Sequence, residues 1–276
     1  MLKDILIHID QSRESAGRIK VAIGLARAHD AHLTGAYVIP RSHIPTYLEV
    51  QVPKEILEKA AAGRLEEAAA AKKNFEKACR ADGVPCEWRQ AEGPMVETLA
   101  LNARYSDLAV VGQRNTASED FEVDEMPDRF IMSSGRPTLV VPYAGSFPTV
   151  GRTVVVAWDA SRLATRAVND ALPFLRKADK VHLLAINPEG GLEGHGAIPG
   201  ADIGLHLARH GVKAEANSIR VDDLDTGDAL LSRAADFGAD LIVMGAYGHS
   251  RWRELVLGGV TRHLLDHMTV PVFMTH

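Results

Sequence analysis

Short, wholly apolar runs alternate along this chain with longer stretches in which apolar residues recur every three or four positions. The first run, Ile5-Leu6-Ile7-His8-Ile9, ends in Asp10-Gln11-Ser12. It leads into a segment that spaces Ala16, Ile19, Ala22, Ile23 and Ala26 along one helical face. A second run, His32 to Ile39, closes at Pro40. The stretch Pro53 to Asp82 then sets Ile56, Leu57, Ala60, Leu65, Ala68, Phe75 and Cys79 on one face, with Pro53 suited to a first helical turn and Gly83 to the stop. A third strand over Pro85 to Gln90 leads through Gly93 into a helix over Met95 to Arg104. Fourth and fifth strands are expected at Leu108 to Val111 and Thr138 to Val141. Runs of this kind, apolar without alternation, belong to strands buried on both faces of a parallel sheet.

The pattern then repeats. Val154-Val155-Val156-Ala157-Trp158-Asp159-Ala160-Ser161 matches the first run and its Asp-x-Ser ending. Ala164, Ala167, Val168, Ala171 and Leu175 mark the helix after it. Val181 to Ile186, Lys213 to Arg220, Leu241 to Met244 and Val272 to Met274 supply four more strands, and Asp228 to Phe237 a helix behind Gly227. Between the first and second of these strands, Glu189 to His210 is expected as a loop and a brief helix. Asp precedes and Gly follows the fourth strand of each copy. Strand and helix alternate throughout, so the expected architecture is α/β: two tandem, doubly wound, five-stranded parallel-sheet domains, residues 1–145 and 151–276, linked by Gly145 to Gly151.

Composition narrows the function classes. A chain of 276 residues with 46% hydrophobic and 24% charged residues has ample core for two domains. A net charge of −5 argues against general nucleic-acid binding, which needs a basic face. No apolar run approaches the ~18 residues a spanning helix requires, and the charges among Met1 to Asp10 argue against a signal peptide. Cys79 and Cys86 are expected as reduced thiols of a cytoplasmic protein.

The chemistry concentrates between Asp240 and Thr261. The apolar run Leu241 to Met244 is followed by glycines at 245, 248, 258 and 259, and an amphipathic segment begins at Val260 (Thr261, Leu264, Leu265, Met268). Glycines leave no Cβ in the way of a ligand, and the unpaired N–H groups of a helix N-terminus attract an anion. A strand, a glycine-punctuated loop and a helix start together suit a phosphate group. The spacing Gly-x2-Gly-x9-Gly at Gly245, Gly248 and Gly258 resembles the nucleotide loop of the universal stress protein (UspA-like) family. With the repeat, the resemblance covers nearly the whole chain as two tandem domains of Rossmann-like, adenine nucleotide alpha hydrolase-like type. Gly259 stands where the family often has Ser or Thr, and Thr261 lies two residues on.

The resemblance implies a nucleotide pocket in the second half. Asp159 would meet the ribose or adenine, and Ala157 and Trp158 would line the base. Ile186 would pack on adenine, and Met244 with Gly245 would close the ribose side. Gly248, Gly258, Gly259, Val260 and Thr261 would face the phosphates, with Ser250 and Arg251 in the loop between them. Several of these have plainer roles: Asp159 suits a helix cap, Gly245 and Gly248 suit turns, and Arg251 and Arg253 suit a solvated loop. The ligand so implied is ATP, with or without magnesium, in a sensor or switch; a nucleotide-free scaffold is the rival reading. The family also implies pairing of the two halves through their last strands, and pairing of two chains beyond that. No Walker-type Gly-x4-Gly-Lys-Ser/Thr is present, so no catalytic residue is assigned and any ATPase activity is expected to be slow.

The first half departs from this pattern. Gly112-Gln113-Arg114-Asn115 replaces Gly245-Ala246-Tyr247-Gly248, and Glu119, Asp120, Glu122, Asp124, Glu125 and Asp128 fill the rest of the segment. Carboxylates beside a triphosphate repel it, so this half is not expected to bind ATP through its loop. The pairs His263/His267 and His206/His210 have i, i+4 spacing, for which metal binding is a minor reading beside an ordinary helical face.

Overall fold

The computed structural model describes residues 1–40, 53–114, 126–188, 199–247 and 259–276. In the first half the strands are β1 (Asp4–His8), β2 (His32–Ile39), β3 (Cys86–Glu92), β4 (Leu108–Gly112) and β5 (Thr138–Val141). The helices between them are α1 (Ser15–His29), α2 (Lys54–Ala81), α3 (Met95–Ala103) and α4 (Met126–Ser134). The second half carries β6 (Thr153–Ala157), β7 (Lys180–Ile186), β8 (Ala214–Ile219), β9 (Leu241–Gly245) and β10 (Val272–Thr275). Its helices are α5 (Arg162–Asp170), α6 (Leu172–Leu175), α7 (Ala201–Arg209), α8 (Thr226–Asp236) and α9 (Gly259–His267).

All ten strands form one sheet, ordered β3-β2-β1-β4-β5-β10-β9-β6-β7-β8. Neighbours are parallel within each half, and the halves meet at an antiparallel pair in which Val272, Phe273 and Met274 oppose Val140, Leu139 and Thr138. Edge strands invite unwanted pairing, and this seam removes one edge from each half. One face of the sheet is covered by α1, α2, α5, α6 and α7, whose Ile23, Phe75, Val168, Phe174 and Leu207 pack on Ile5, Ile7, Val154 and Phe273. The other face is covered by α3, α4, α8 and α9, with Leu99, Phe130, Leu230 and Leu264 against Leu6, Val140, Ile242 and Met274. Adjacent strand residues serve opposite layers, which is why the inner strands read as apolar runs, whereas the edge strands β3 and β8 are polar and partly exposed.

Two features of the repeat have local causes. The carboxylate before each fourth strand takes a pair of backbone N–H groups where the first strand begins. Asp107 Oδ2 accepts from Lys3 and Asp4 at 2.7 and 3.1 Å, and Asp240 Oδ1 from Gly151 and Thr153 at 3.0 and 2.9 Å. Each Asp-x-Ser closes a side-chain turn, Asp10 Oδ1 accepting from Ser12 N at 3.0 Å and Asp159 Oδ1 from Ser161 N at 2.9 Å. These bonds satisfy backbone donors that the parallel ladder leaves over.

The helix α4 was not expected from the pattern, which at Met126-Pro127-Asp128 reads as the end of an acidic loop. Met126, Phe130 and Ile131 turn one apolar face into the core. The expected helix over Ala164 to Leu175 is instead two that meet at Ala171, because Pro173 in the first turn of the second has no N–H to continue the ladder of the first.

Candidate functional site

In each half the first and fourth strands are neighbours, while the crossovers that leave them pass to opposite faces of the sheet. Their carboxyl ends therefore border a crevice that no crossover fills, the usual ligand position in open parallel sheets. In the second half this crevice lies at the ends of β6 and β9.

Sequence expectation placed thirteen residues there; Gly248, Ser250, Arg251 and Gly258 lie outside the described residues, as do Glu119, Asp120, Glu122, Asp124 and Glu125 of the first half. The structure places the others at the ends of β6, β7 and β9 and, for Gly259, Val260 and Thr261, in the first turn of α9. Ala157 and Trp158 close β6 on opposite faces, Ala157 against the α8/α9 layer and Trp158 against the α5 layer. Asp159 follows, exposed, with its carboxylate on Ser161 N–H. The helix cap itself falls to Ser161, whose Oγ accepts from Ala164 N at 3.1 Å. Ile186 ends β7 half-buried, while Met244 is 5% exposed and belongs to the core beneath the crevice.

Gly245 is required by close approach rather than by a turn. A Cβ there would lie 2.6 Å from Leu163 C and 2.7 Å from Ala164 N, so β9 runs against the first turn of α5. Tyr247 then adopts a left-handed φ of 62°, and its N–H donates to Thr261 Oγ1 at 3.1 Å. That bond holds the first turn of α9 beside the end of β9. Thr261 is buried by it, whereas Gly259 is exposed, with nothing within 4 Å of the place a Cβ would occupy. The first turn of α9 thus stands beside the crevice with open space at its glycine, and helix-start N–H groups without helical partners favour an anion.

The tyrosine ring has a second task. Its hydroxyl donates to Asp128 Oδ1 of α4 in the first half, and burial, then the Asp128 bond and charge, push the phenol well above its usual range. Asp128, read from sequence as one of the carboxylates beside a first-half phosphate site, is therefore engaged across the seam. Gln113 returns the contact: its Nε2 donates to Leu265 O and Asp266 O at 2.9 and 3.2 Å, while Oε1 accepts from Tyr143 N at 3.1 Å.

The first-half crevice is built differently. Arg18, 3% exposed, reaches from α1 to donate from Nε to His8 O at 2.8 Å and from Nη2 to Asp10 Oδ2 at 2.7 Å. Its guanidinium occupies the place a Cβ on Gly112 would need, 2.3 Å from Nη1. The equivalent residue of the second half is Ala167, eight beyond Asp159 as Arg18 is eight beyond Asp10. Burial would raise the Asp10 carboxyl, but the Arg18 guanidinium, with help from His8 and Ser12, holds it well below the carboxylate range. Burial lowers His8 to about 4, so its imidazole is neutral near pH 7. A cavity of about 400 Å³ opens beside these groups, between Tyr37, Ile39, Met95, Met126 and Tyr143.

The histidine pairs do not read as chelates. His206 Nε2 meets Asn169 Oδ1 at 3.2 Å and His210 Nδ1 meets Arg176 Nη2 at 3.0 Å, so each is spent on another element. His263 Nε2 meets Asp228 Oδ1 at 2.8 Å, and Asp225, Asp228 and His263 gather their donor atoms within 4.8 Å at the start of α8. Cys79 and Cys86 are free thiols; burial, then hydrogen bonding to Cys86, pushes Cys79 up to about 12.

The model of the universal stress protein family matches twice, over residues 1–142 and 151–276. This chain belongs to the universal stress protein family. A universal stress protein of Synechocystis is 26% identical over 171 residues, 60% of this chain, and the match spans only 56% of that relative's length. A universal stress protein from Archaeoglobus fulgidus has the same fold at a TM-score of 0.77 and 16% identity, over 99% of this chain and 95% of that one. A functionally unknown protein from Pseudomonas aeruginosa follows at 0.61 and 13% identity, over 99% and 92%. Among the described residues of this universal stress protein, no helix is long and apolar enough to cross a membrane.

Three positions that shape the crevices and the seam escaped sequence reasoning: Arg18, Gln113 and Tyr247. Aligning the halves of a tandem universal stress protein does carry a signal for the first two. Arg18 stands opposite Ala167 and Gln113 opposite Ala246, and a long polar residue in place of a buried alanine needs partners.

Proposed function

We propose that the second half of the chain binds ATP or a related adenine nucleotide at the ends of β6 and β9, and that its occupancy acts as a stress-linked switch. The observation that carries this reading is the bond from Tyr247 N–H to Thr261 Oγ1, which seats the first turn of α9 at the topological switch point. The residues at hand fit such a ligand. Gly259 leaves room at the helix start, Ala157 and Ile186 offer apolar surface to a base, and exposed Asp159 sits where a ribose hydroxyl would find an acceptor. In the first half Arg18 and its ion pair replace that arrangement, so the nucleotide belongs to residues 151–276 and not to residues 1–145. The antiparallel β5–β10 seam supports reading the two as domains of a pseudo-dimer within one chain, with a homodimer built on it. Free thiols and a mildly acidic surface suit a cytoplasmic setting, and turnover is secondary to binding.

Calorimetric titration of the full chain with ATP, with and without magnesium, tests this directly. Gly259→Asp puts a carboxylate into open space at the start of α9, where it favours the helix but repels phosphate. The variant is expected to keep its melting temperature and lose at least tenfold in ATP affinity; unchanged affinity overturns the assignment.

A further inference from the structure

We propose that the first half carries a binding site of different chemistry: the cavity at the ends of β1 and β4 takes a neutral, mostly apolar small molecule that donates one hydrogen bond to His8 Nε2. Its volume of about 400 Å³ falls within the range of small-molecule sites. Ile9, Val38, Ile39, Met95, Met126 and Val141 supply apolar wall from strands and helices of both faces.

Several polar groups on the lining are already committed to one another. Asp10 holds Arg18 and Ser12, Gln11 Nε2 donates to the Tyr37 hydroxyl at 3.1 Å, and Gln113 is spent on α9 and Tyr143. Because the Asp10–Arg18 pair cancels its own charge, neither an anion nor a cation finds an uncompensated partner in it. Glu14, Arg64 and Glu67 also line the cavity, but they are half-exposed or exposed and carry both signs of charge, whereas His8 is buried. It is 5% exposed, it lines the cavity, and its Nε2 is buried without a hydrogen-bond partner. Buried polar atoms are nearly always paired, so an orphan on a ring that lines the cavity marks the place of a ligand group.

The tautomer follows from geometry. The Asp10 carboxylate lies 3.8 Å from His8 Nδ1 and favours the ring proton there, which leaves a lone pair on Nε2. The ligand must therefore bring an O–H or N–H donor on an otherwise apolar body. A ring system bearing a single hydroxyl meets these demands.

The test uses the full chain at pH 7 and 2-naphthol, with naphthalene as the same body lacking the hydroxyl. Calorimetry is expected to give saturable one-to-one binding of 2-naphthol, about tenfold tighter than naphthalene. In the wild-type chain the ¹⁵N resonance of His8 Nε2 is expected to shift on adding 2-naphthol and not on adding naphthalene. His8→Phe should bring the two affinities together, and Met95→Trp, which fills the cavity, should abolish both. Gly259→Asp should leave both unchanged, which separates this site from the nucleotide site of the second half. Absence of saturable binding, equal affinities in the wild type, an unmoved His8 resonance, or displacement of 2-naphthol by ATP would each overturn the proposal.

Discussion

Two glycines of the second-half site should respond to the same substitution in opposite ways. In Gly245→Ala the new methyl would lie 2.6 Å from Leu163 C, 2.7 Å from Ala164 N and 2.8 Å from Leu163 Cβ. Ordinary carbon contacts begin near ~3.5 Å, so a gap of about 1 Å must open between β9 and α5. Two of the three obstructing atoms are backbone, and no rotamer change relieves them. Moving them also pulls Ala164 N–H from Ser161 Oγ, a helix cap made at 3.1 Å. Overpacking costs about 1–3 kcal/mol and a lost cap about 1 kcal/mol, giving a destabilisation of roughly 2–4 kcal/mol. For a chain of this size that lowers the melting temperature by on the order of 10 °C. Gly259→Ala meets nothing within 4 Å and lies at the first position of α9. It should be neutral or stabilising by up to ~1 kcal/mol, and it keeps the N–H. Urea unfolding of both variants at pH 7 gives the stabilities, and ATP titration the affinities. The expected result is a destabilised Gly245→Ala with weakened binding, beside a Gly259→Ala at least as stable as the wild type and with the same affinity. A Gly245→Ala as stable as the parent would refute the close approach of β9 and α5, and with it the built crevice.

Acid should weaken the fold through two buried imidazoles. Burial lowers His8 and His29 to about 4, with Lys177 and the N-terminal amine adding to the effect at His29. Both bind a proton more readily unfolded, so their neutral forms stabilise the fold above about 6.5, and that contribution is lost as pH falls from there toward 4. Each contributes a slope of up to ~1.4 kcal/mol per pH unit, readable by unfolding at a series of pH values; imidazole resonances that titrate near 6.5 would contradict it. At the seam, Gln113→Ala leaves Leu265 O, Asp266 O and Tyr143 N without their side-chain partner. A loss of about 1–3 kcal/mol in urea unfolding is expected, and a loss below ~0.5 kcal/mol would show that the contact is dispensable.

Much of the fold was legible because local geometry writes it. The strands at His32–Ile39 and Thr138–Val141 fall where the apolar runs placed them, since a strand buried on both faces is apolar at nearly every position, with Thr34 and Thr138 the buried exceptions. The start of α9 at Gly259 and the placement of Ala157, Asp159 and Gly245 at neighbouring strand ends follow from the repeat and the parallel topology. The helix α4 was less visible, because an acidic stretch masked the spacing of Met126, Phe130 and Ile131.

The sequence by itself thus determined the alternation of strands and helices, the internal duplication and the glycine-bearing stretch after β9, all properties of residues close together along the chain. Tertiary structure alone decided that Arg18 neutralises Asp10, that Tyr247 and Gln113 clasp the opposite half, and that His8 lines a cavity while its Nε2 is left without a partner. Periodicity follows from backbone geometry, which neighbouring residues share. The partner of a buried charge or a buried polar atom is set by which distant segments the sheet brings together, and no local pattern records that.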